Sequence, residues 1–132
     1  MYKILWLLKR KPGVNFEQFR EHYERSHSVL GQKYFGHLIL DYKRNYDRTR
    51  ESGGDGGALD SGYDCITEWM MPSAEALDEL FGLLADPVSG KIFRDDEEHF
   101  LDSSATRLLR CDTRDTGPGD GAETLKLRGQ AA

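Results

Sequence analysis

Tyr2-Lys3-Ile4-Leu5-Trp6-Leu7-Leu8-Lys9 is followed, across the turn signal Lys11-Pro12-Gly13, by Asn15-Phe16-Glu17-Gln18-Phe19-Arg20-Glu21-His22-Tyr23-Glu24-Arg25-Ser26-His27. The first run is apolar on both parities, which in a strand means cover on both faces. Asn15 then stands as an N-cap with Gln18 three residues on, the spacing of a capping box. Phe16, Phe19, Tyr23, His27, Leu30 and Tyr34 recur at steps of 3 and 4 and predict one apolar stripe of an amphipathic helix. Its other face carries Glu17, Arg20, Glu21, Glu24 and Arg25, with Glu21 and Arg25 at i,i+4.

Further along, the period changes to two. Residues 36–47 alternate Leu38, Leu40, Tyr42, Arg44 and Tyr46 with His37, Ile39, Asp41, Lys43 and Asn45, a second strand polar in part on both faces. Residues 48–62 contain Gly53-Gly54-Asp55-Gly56-Gly57 and little to pack, so they read as a long hairpin loop, mobile or functional. Residues 63–71 form a third strand. Pro72-Ser73 opens a helix with Ala74, Leu77, Leu80, Phe81 and Leu84 as its stripe, and Asp86-Pro87 caps a shorter one through Val88, Ile92 and Phe93. That helix runs into the acidic stretch Asp95-Asp96-Glu97-Glu98-His99-Phe100-Leu101-Asp102, and residues 106–112 are the last strand.

Strand, helix, strand, strand, helix, strand is the ferredoxin-like βαββαβ unit, an α+β fold with both helices on one face of an antiparallel sheet. Right-handed crossovers put strands one and three at the centre and strands two and four at the edges. The free face of strands one and three is too apolar for water, so a homodimer made face to face is expected to bury it. Residues 1–112 make this domain. Residues 113–132, rich in Gly, Asp and Thr, read as a flexible tail or as an arm wrapping a partner subunit through Leu125 and Leu127.

The bulk numbers agree. A chain of 132 residues, 38% hydrophobic and 11% aromatic, suits one domain with a thin core. Its formal net charge of −5 and scattered basic residues argue against nucleic acid as a partner. No run approaches the roughly 20 apolar residues that span a bilayer, and no cleavable leader is visible at Met1, so a cytoplasmic protein is expected. Cys65 and Cys111 make no CxxC pair, and the predicted topology separates them by strand one; two free thiols fit a reducing compartment.

The candidate chemistry starts at His27. It follows Tyr23 by one turn, so an imidazole and a phenol face one cavity. An imidazole titrates near neutrality and suits proton removal and return; the alternative is a core histidine bonded to a backbone carbonyl. Glu68 and Asp64 share a parity on strand three, either orienting the histidine or acting as a second acid, or else paired with Arg44 or Arg107 or exposed at a barrel rim. Asp41 and His37 read as solvated on an edge strand. Trp69, Tyr42 and Phe93 offer rings to stack on a flat aromatic ligand, or are simply core. His99, beside Glu97 and Glu98, lacks the i,i+4 partner a metal site would use, and is expected to cap the ligand or contact the other subunit. No nucleophile elbow, P-loop or Rossmann fingerprint is present, so neither metal nor cofactor is expected.

Four stretches resemble the EthD family of small dimeric α/β-barrel proteins. They are Lys11-Pro12-Gly13 leading to Phe19-Arg20-Glu21-His22-Tyr23-Glu24-Arg25-Ser26-His27, Tyr42-Lys43-Arg44-Asn45-Tyr46, Tyr63-Asp64-Cys65-Ile66-Thr67-Glu68, and Asp96-Glu97-Glu98-His99-Phe100-Leu101-Asp102. Ser28-Val29 stands where the family commonly has Ala-Pro, and the Gly-rich loop is longer than usual. The resemblance implies kinship with polyketide cyclases, dehydratases and cofactor-free monooxygenases that share the barrel. It raises His27 to catalytic base and acid, with Tyr23 as donor to a carbonyl or enolate oxygen and Glu68 or Asp64 as orienting carboxylate. The expected activity is that of a cofactor-independent lyase, a dehydratase acting on a hydrophobic aromatic or polyketide-like molecule. Oxygenation, cyclisation and binding without catalysis are the alternatives.

Overall fold

In the computed structural model, which describes residues 1–53 and 57–123, four strands form one antiparallel sheet: β1 (Tyr2–Leu8), β2 (Asp41–Tyr46), β3 (Cys65–Met71) and β4 (Arg107–Cys111). Their order is β2-β3-β1-β4, with the two most apolar strands at the centre. Leu5 stands opposite Glu68 on one side and Leu109 on the other. This is the expected α+β, ferredoxin-like arrangement.

Asn15 caps the first helix as its spacing predicts: Gln18 N–H donates to Asn15 Oδ1 at 2.8 Å and Asn15 N–H donates to Gln18 Oε1 at 3.0 Å. The helix is not one regular α-helix, however. α1 (Phe16–His22) passes through a π-helical turn over Tyr23–His27 into α2 (Ser28–Phe35), and the Ser28 N–H reaches back to the Tyr23 carbonyl. A π turn holds an extra residue, so the inward row slips by one. Phe16, Phe19 and Tyr23 are succeeded by Ser28, Gly31 and Phe35, and the expected stripe through Leu30 and Tyr34 is only partly buried. The Ser28 hydroxyl donates to the Glu24 carbonyl at 2.8 Å, one more bond within the turn. At Gly31 the helix lies so close to β2 that a Cβ would stand 2.8 Å from a Tyr42 ring carbon.

A hydrogen-bonded turn follows the helix where strand was expected. Leu38 N–H still bonds the Phe35 carbonyl, and Leu38 is buried, so the second strand begins at Asp41 rather than at 36. In the long hairpin, two short 3₁₀ turns, Arg48–Ser52 and Gly57–Leu59, are clasped by Arg50, whose guanidinium donates to both Asp60 oxygens at 2.6 and 2.7 Å. The middle of the Gly-rich run, 54–56, lies outside the described residues.

α3 (Ala74–Ala85) and α4 (Ser89–Glu97) complete the helical layer. Ile4, Phe35, Trp69, Met71, Leu80 and Phe93 form one core cluster, and Leu8, Phe19, Tyr23, Cys65, Phe100 and Leu101 a second. The other face of the sheet carries Leu5, Leu7, Ile66, Met70 and Leu109 around a Lys3–Glu68 ion pair of 3.5 Å, and neither core cluster includes them. Both cysteines are free thiols. Residues 113–123 are exposed and carry neither helix nor strand, while Leu125 and Leu127 lie outside the described residues. Among the described residues no helix is long and apolar enough to cross a membrane.

Candidate active site

The π turn and the last turn of α4 meet at one carboxylate. Asp96 accepts from His27 Nδ1 at 2.8 Å, from the Ser26 hydroxyl at 2.6 Å and from His22 Nε2 at 3.0 Å. Burial alone pushes an Asp96 carboxyl up. The hydrogen bonds from His27 and Ser26 and the charges of His27 and His22 outweigh it and bring Asp96 down to about 2. An ionised acceptor at Nδ1 assigns the proton of neutral His27 to that nitrogen, so the lone pair lies on Nε2. No protein group among the described residues takes Nε2. Phe93, Phe100 and Tyr23 surround the ring, with centroids 5.7, 5.1 and 5.5 Å away.

His27 borders a cavity of about 310 Å³ between the sheet and α4. Trp6, Leu8, Tyr42 and Trp69 make its floor, Phe35 and Phe93 part of its wall, and Arg94 and Glu97 project from α4. The lining is mainly apolar and rich in aromatic rings, as suits a flat apolar ligand. Tyr42 donates its hydroxyl to Tyr23 at 3.2 Å, and Tyr23 in turn lies 2.5 Å from Thr67 Oγ1. Burial raises both phenols, Tyr42 to about 12 and Tyr23 well above the ordinary tyrosine value, so both keep their protons at neutral pH. Burial likewise raises the Glu97 carboxyl, although the nearby His27 charge opposes the shift.

The structure brings together His27, Tyr23, Tyr42, Trp69 and Phe93 around this space. It does not bring in the strand-three carboxylates. Glu68 lies on the far sheet face, paired with Lys3, because the inward row of β3 is Cys65, Thr67, Trp69 and Met71. Asp64 is buried at the end of the long hairpin, accepting from the Arg10 backbone N–H at 2.8 Å and facing Arg50 Nε at 3.4 Å. The partners expected for them, Arg44 and Arg107, pair elsewhere: Arg44 grips Glu24, and Arg107 bonds backbone carbonyls. The carboxylate that orients His27 is therefore Asp96. His99 is exposed, stacks near His22 at 5.5 Å, and does not line the cavity.

The EthD domain profile matches residues 11–104, most of the chain. The chain belongs to the EthD domain family. Solved structures share this EthD fold at low identity. A protein from Arabidopsis thaliana is 19% identical, with a TM-score of 0.61 over 89% of this chain and 100% of its own. An EthD family protein from Bacillus halodurans is 21% identical, with a TM-score of 0.58 over 86% and 100%. An antibiotic biosynthesis monooxygenase is 16% identical, with a TM-score of 0.53 over 87% and 100%. Among curated proteins nothing matches the chain.

Within this EthD domain, Asp96 and Glu97 are the site residues that the sequence pattern passed over. Both lie in the acidic stretch that carries the family likeness, where the sequence pattern singles out His99. Helical phase from Phe93 would have pointed the other way: Phe93, Glu97 and Phe100 step by 4 and 3 along one face, with Asp96 beside them. Among the described residues no group of three or more His, Cys, Asp and Glu is arranged to hold a metal ion; His22 Nε2 and His27 Nδ1 are both bonded to the Asp96 carboxylate.

Proposed function

We propose that this EthD protein is a cofactor-independent lyase, a dehydratase that moves protons on a hydrophobic aromatic or polyketide-like molecule. The observation that carries the reading is the His27–Asp96 dyad, with Nδ1 bonded to an ionised carboxylate and Nε2 unclaimed beside an aromatic cavity. Nε2 takes a proton from the carbon next to a carbonyl, and the electron pair moves to the carbonyl oxygen. The phenol of Tyr23, which stays protonated and accepts from Tyr42, offers a hydrogen bond to that oxygen. The enolate then expels the β-hydroxyl, a carbon–carbon double bond forms, and the oxygen takes a proton from an acid group of the cavity and leaves as water. Asp96 remains ionised throughout and stabilises the imidazolium, the part a carboxylate plays beside a catalytic histidine.

The same reading includes a homodimer. Leu5, Leu7, Ile66, Met70 and Leu109 form a sheet face that a second copy would take out of water, and Leu109 is 51% exposed in the single chain. The working location under this reading is the cytoplasm, where Cys65 and Cys111 stay reduced.

Aromatic β-hydroxy ketones, followed by the absorbance of the enone, test the activity. Wild-type protein is expected to accelerate the elimination and His27→Ala to lose it. A folded His27→Ala protein with full turnover would overturn the assignment. Oxygen uptake on adding an electron-rich phenol, with no elimination, would instead favour monooxygenase chemistry in the same cavity.

A further inference from the structure

α4 delivers two adjacent carboxyls to the site, and their surroundings are opposite. Asp96 is saturated with donors from His22, Ser26 and His27. The Glu97 carboxyl takes no hydrogen bond and has no cation within ion-pair distance among the described residues, although it is partly buried and lines the cavity beside His27. Its backbone carbonyl is fixed by the N–H groups of Phe100 and Leu101, so the residue is held while its side chain is uncommitted.

We propose that Glu97 is the second acid–base group of this cavity, the carboxyl that protonates the departing oxygen while His27 removes the carbon-bound proton. The inference rests on the proton-transfer reading above. A carboxyl in a largely apolar wall is disfavoured as an anion, and burial raises Glu97 accordingly. The groups that face it bear on its charge. Asp96 on its own helix raises it, Arg94 on the same helix and His27 on the π turn lower it, and the phenols of Tyr23 and Tyr42 across the cavity are neutral. Two groups border one cavity, one an imidazole with a free lone pair and the other a carboxyl whose apolar wall disfavours the anion, and they divide naturally into base and acid.

The step balances. His27 Nε2 gains the proton from Cα, the Cα–H electrons form the double bond, and the C–O bond breaks. The oxygen leaves as water with the Glu97 proton, leaving an imidazolium and a carboxylate. Transfer of one proton from His27 to Glu97 through solvent restores both.

Two probes of one skeleton separate the roles. 4-Hydroxy-4-(4-nitrophenyl)butan-2-one reports elimination. 4-(4-Nitrophenyl)butan-2-one, which has no leaving group, reports only exchange of the protons next to the carbonyl for deuterium in heavy water. Glu97→Gln is expected to lower elimination by about 10²-fold and to change exchange far less, because general-acid help is needed only where an oxygen departs. Glu97→Asp should recover part of the loss, and the Glu97 carboxyl carbon of the unliganded wild-type protein should titrate above the ordinary glutamate range by NMR. Unchanged elimination in Glu97→Gln, or equal loss of both reactions, overturns the role of Glu97 and leaves the His27 reading standing. Wild-type turnover of neither probe, or full turnover of both by His27→Ala, overturns the reading on which it rests.

Discussion

The two faces of the sheet are built from alternate residues of the same strands, yet they have different fates. On the helical side, Cys65, Thr67, Trp69 and Met71 of β3 are buried, and Thr67 holds the Tyr23 hydroxyl. On the other side, Ile66, Glu68 and Met70 are only partly covered, and the Lys3–Glu68 ion pair keeps some contact with water. A polar group on the first face must be satisfied by a named neighbour, whereas one on the second has water. The difference teaches where chemistry can be held: the enclosed face can fix a carboxylate below its usual range and two phenols above theirs, and the open face can bury apolar surface only by acquiring a partner.

The comparison is broken most forcefully at Phe35 and Leu109. Phe35 is fully buried and stacks on Phe93 with centroids 4.6 Å apart, so Phe35→Ala should cost about 3–5 kcal/mol in denaturant unfolding. Leu109→Ala, measured at concentrations where the chain is monomeric, should cost under about 1 kcal/mol. Equal losses would mean that the open face is core after all.

Asp96→Asn should leave the cavity walls in place and lower turnover of an identified substrate by about 10²-fold or more, because the amide no longer stabilises the imidazolium. It should also change acid stability in a defined direction. Asp96 is brought below its ordinary value, so the wild type gains stability above the usual carboxylate range and loses it as pH falls from about 4 towards 2. Urea midpoints of wild type and Asp96→Asn should therefore converge across that interval and differ most near neutrality.

Leu109→Lys sharpens the other half of the comparison. It puts a charge on the open face, and the proposed homodimer should dissociate at least about tenfold more readily in sedimentation, with the near-ultraviolet signal of Trp6 and Trp69 unchanged. The smallest effect is expected at Glu68→Gln. A water-accessible surface ion pair is worth about 0–1 kcal/mol, and although this one is partly covered it keeps water contact; turnover should be unaffected because the residue lies behind the sheet.

The alternation along β3 was legible in the sequence, and so was the shared parity of Asp64 and Glu68. Which row faced the helices was harder to read, because β1 is apolar on both parities and Thr67 looks no more inward than Ile66 until Tyr23 is placed against it. The capping box at Asn15 and Gln18 is a purely local device and was readable for that reason. The π turn was not. It exchanges one set of backbone bonds for another, and its trace lies in packing: Gly31 where β2 comes closest, and Phe35 rather than Tyr34 as the last inward ring. His27 and Tyr23 were placed together by helical spacing, but the carboxylate that serves His27 lies 69 residues away in sequence, a pairing that only the docking of α4 reveals.

The most direct test of the account is the tautomer of His27, read from its imidazole nitrogen shifts by ¹⁵N NMR with the ring neutral. The Asp96 dyad predicts a proton on Nδ1 and an unprotonated Nε2 in the free protein, with the preference weakened in Asp96→Asn. A wild-type His27 carrying its proton on Nε2 would contradict it, since the cavity would then meet a donor where the proposed reaction needs a base.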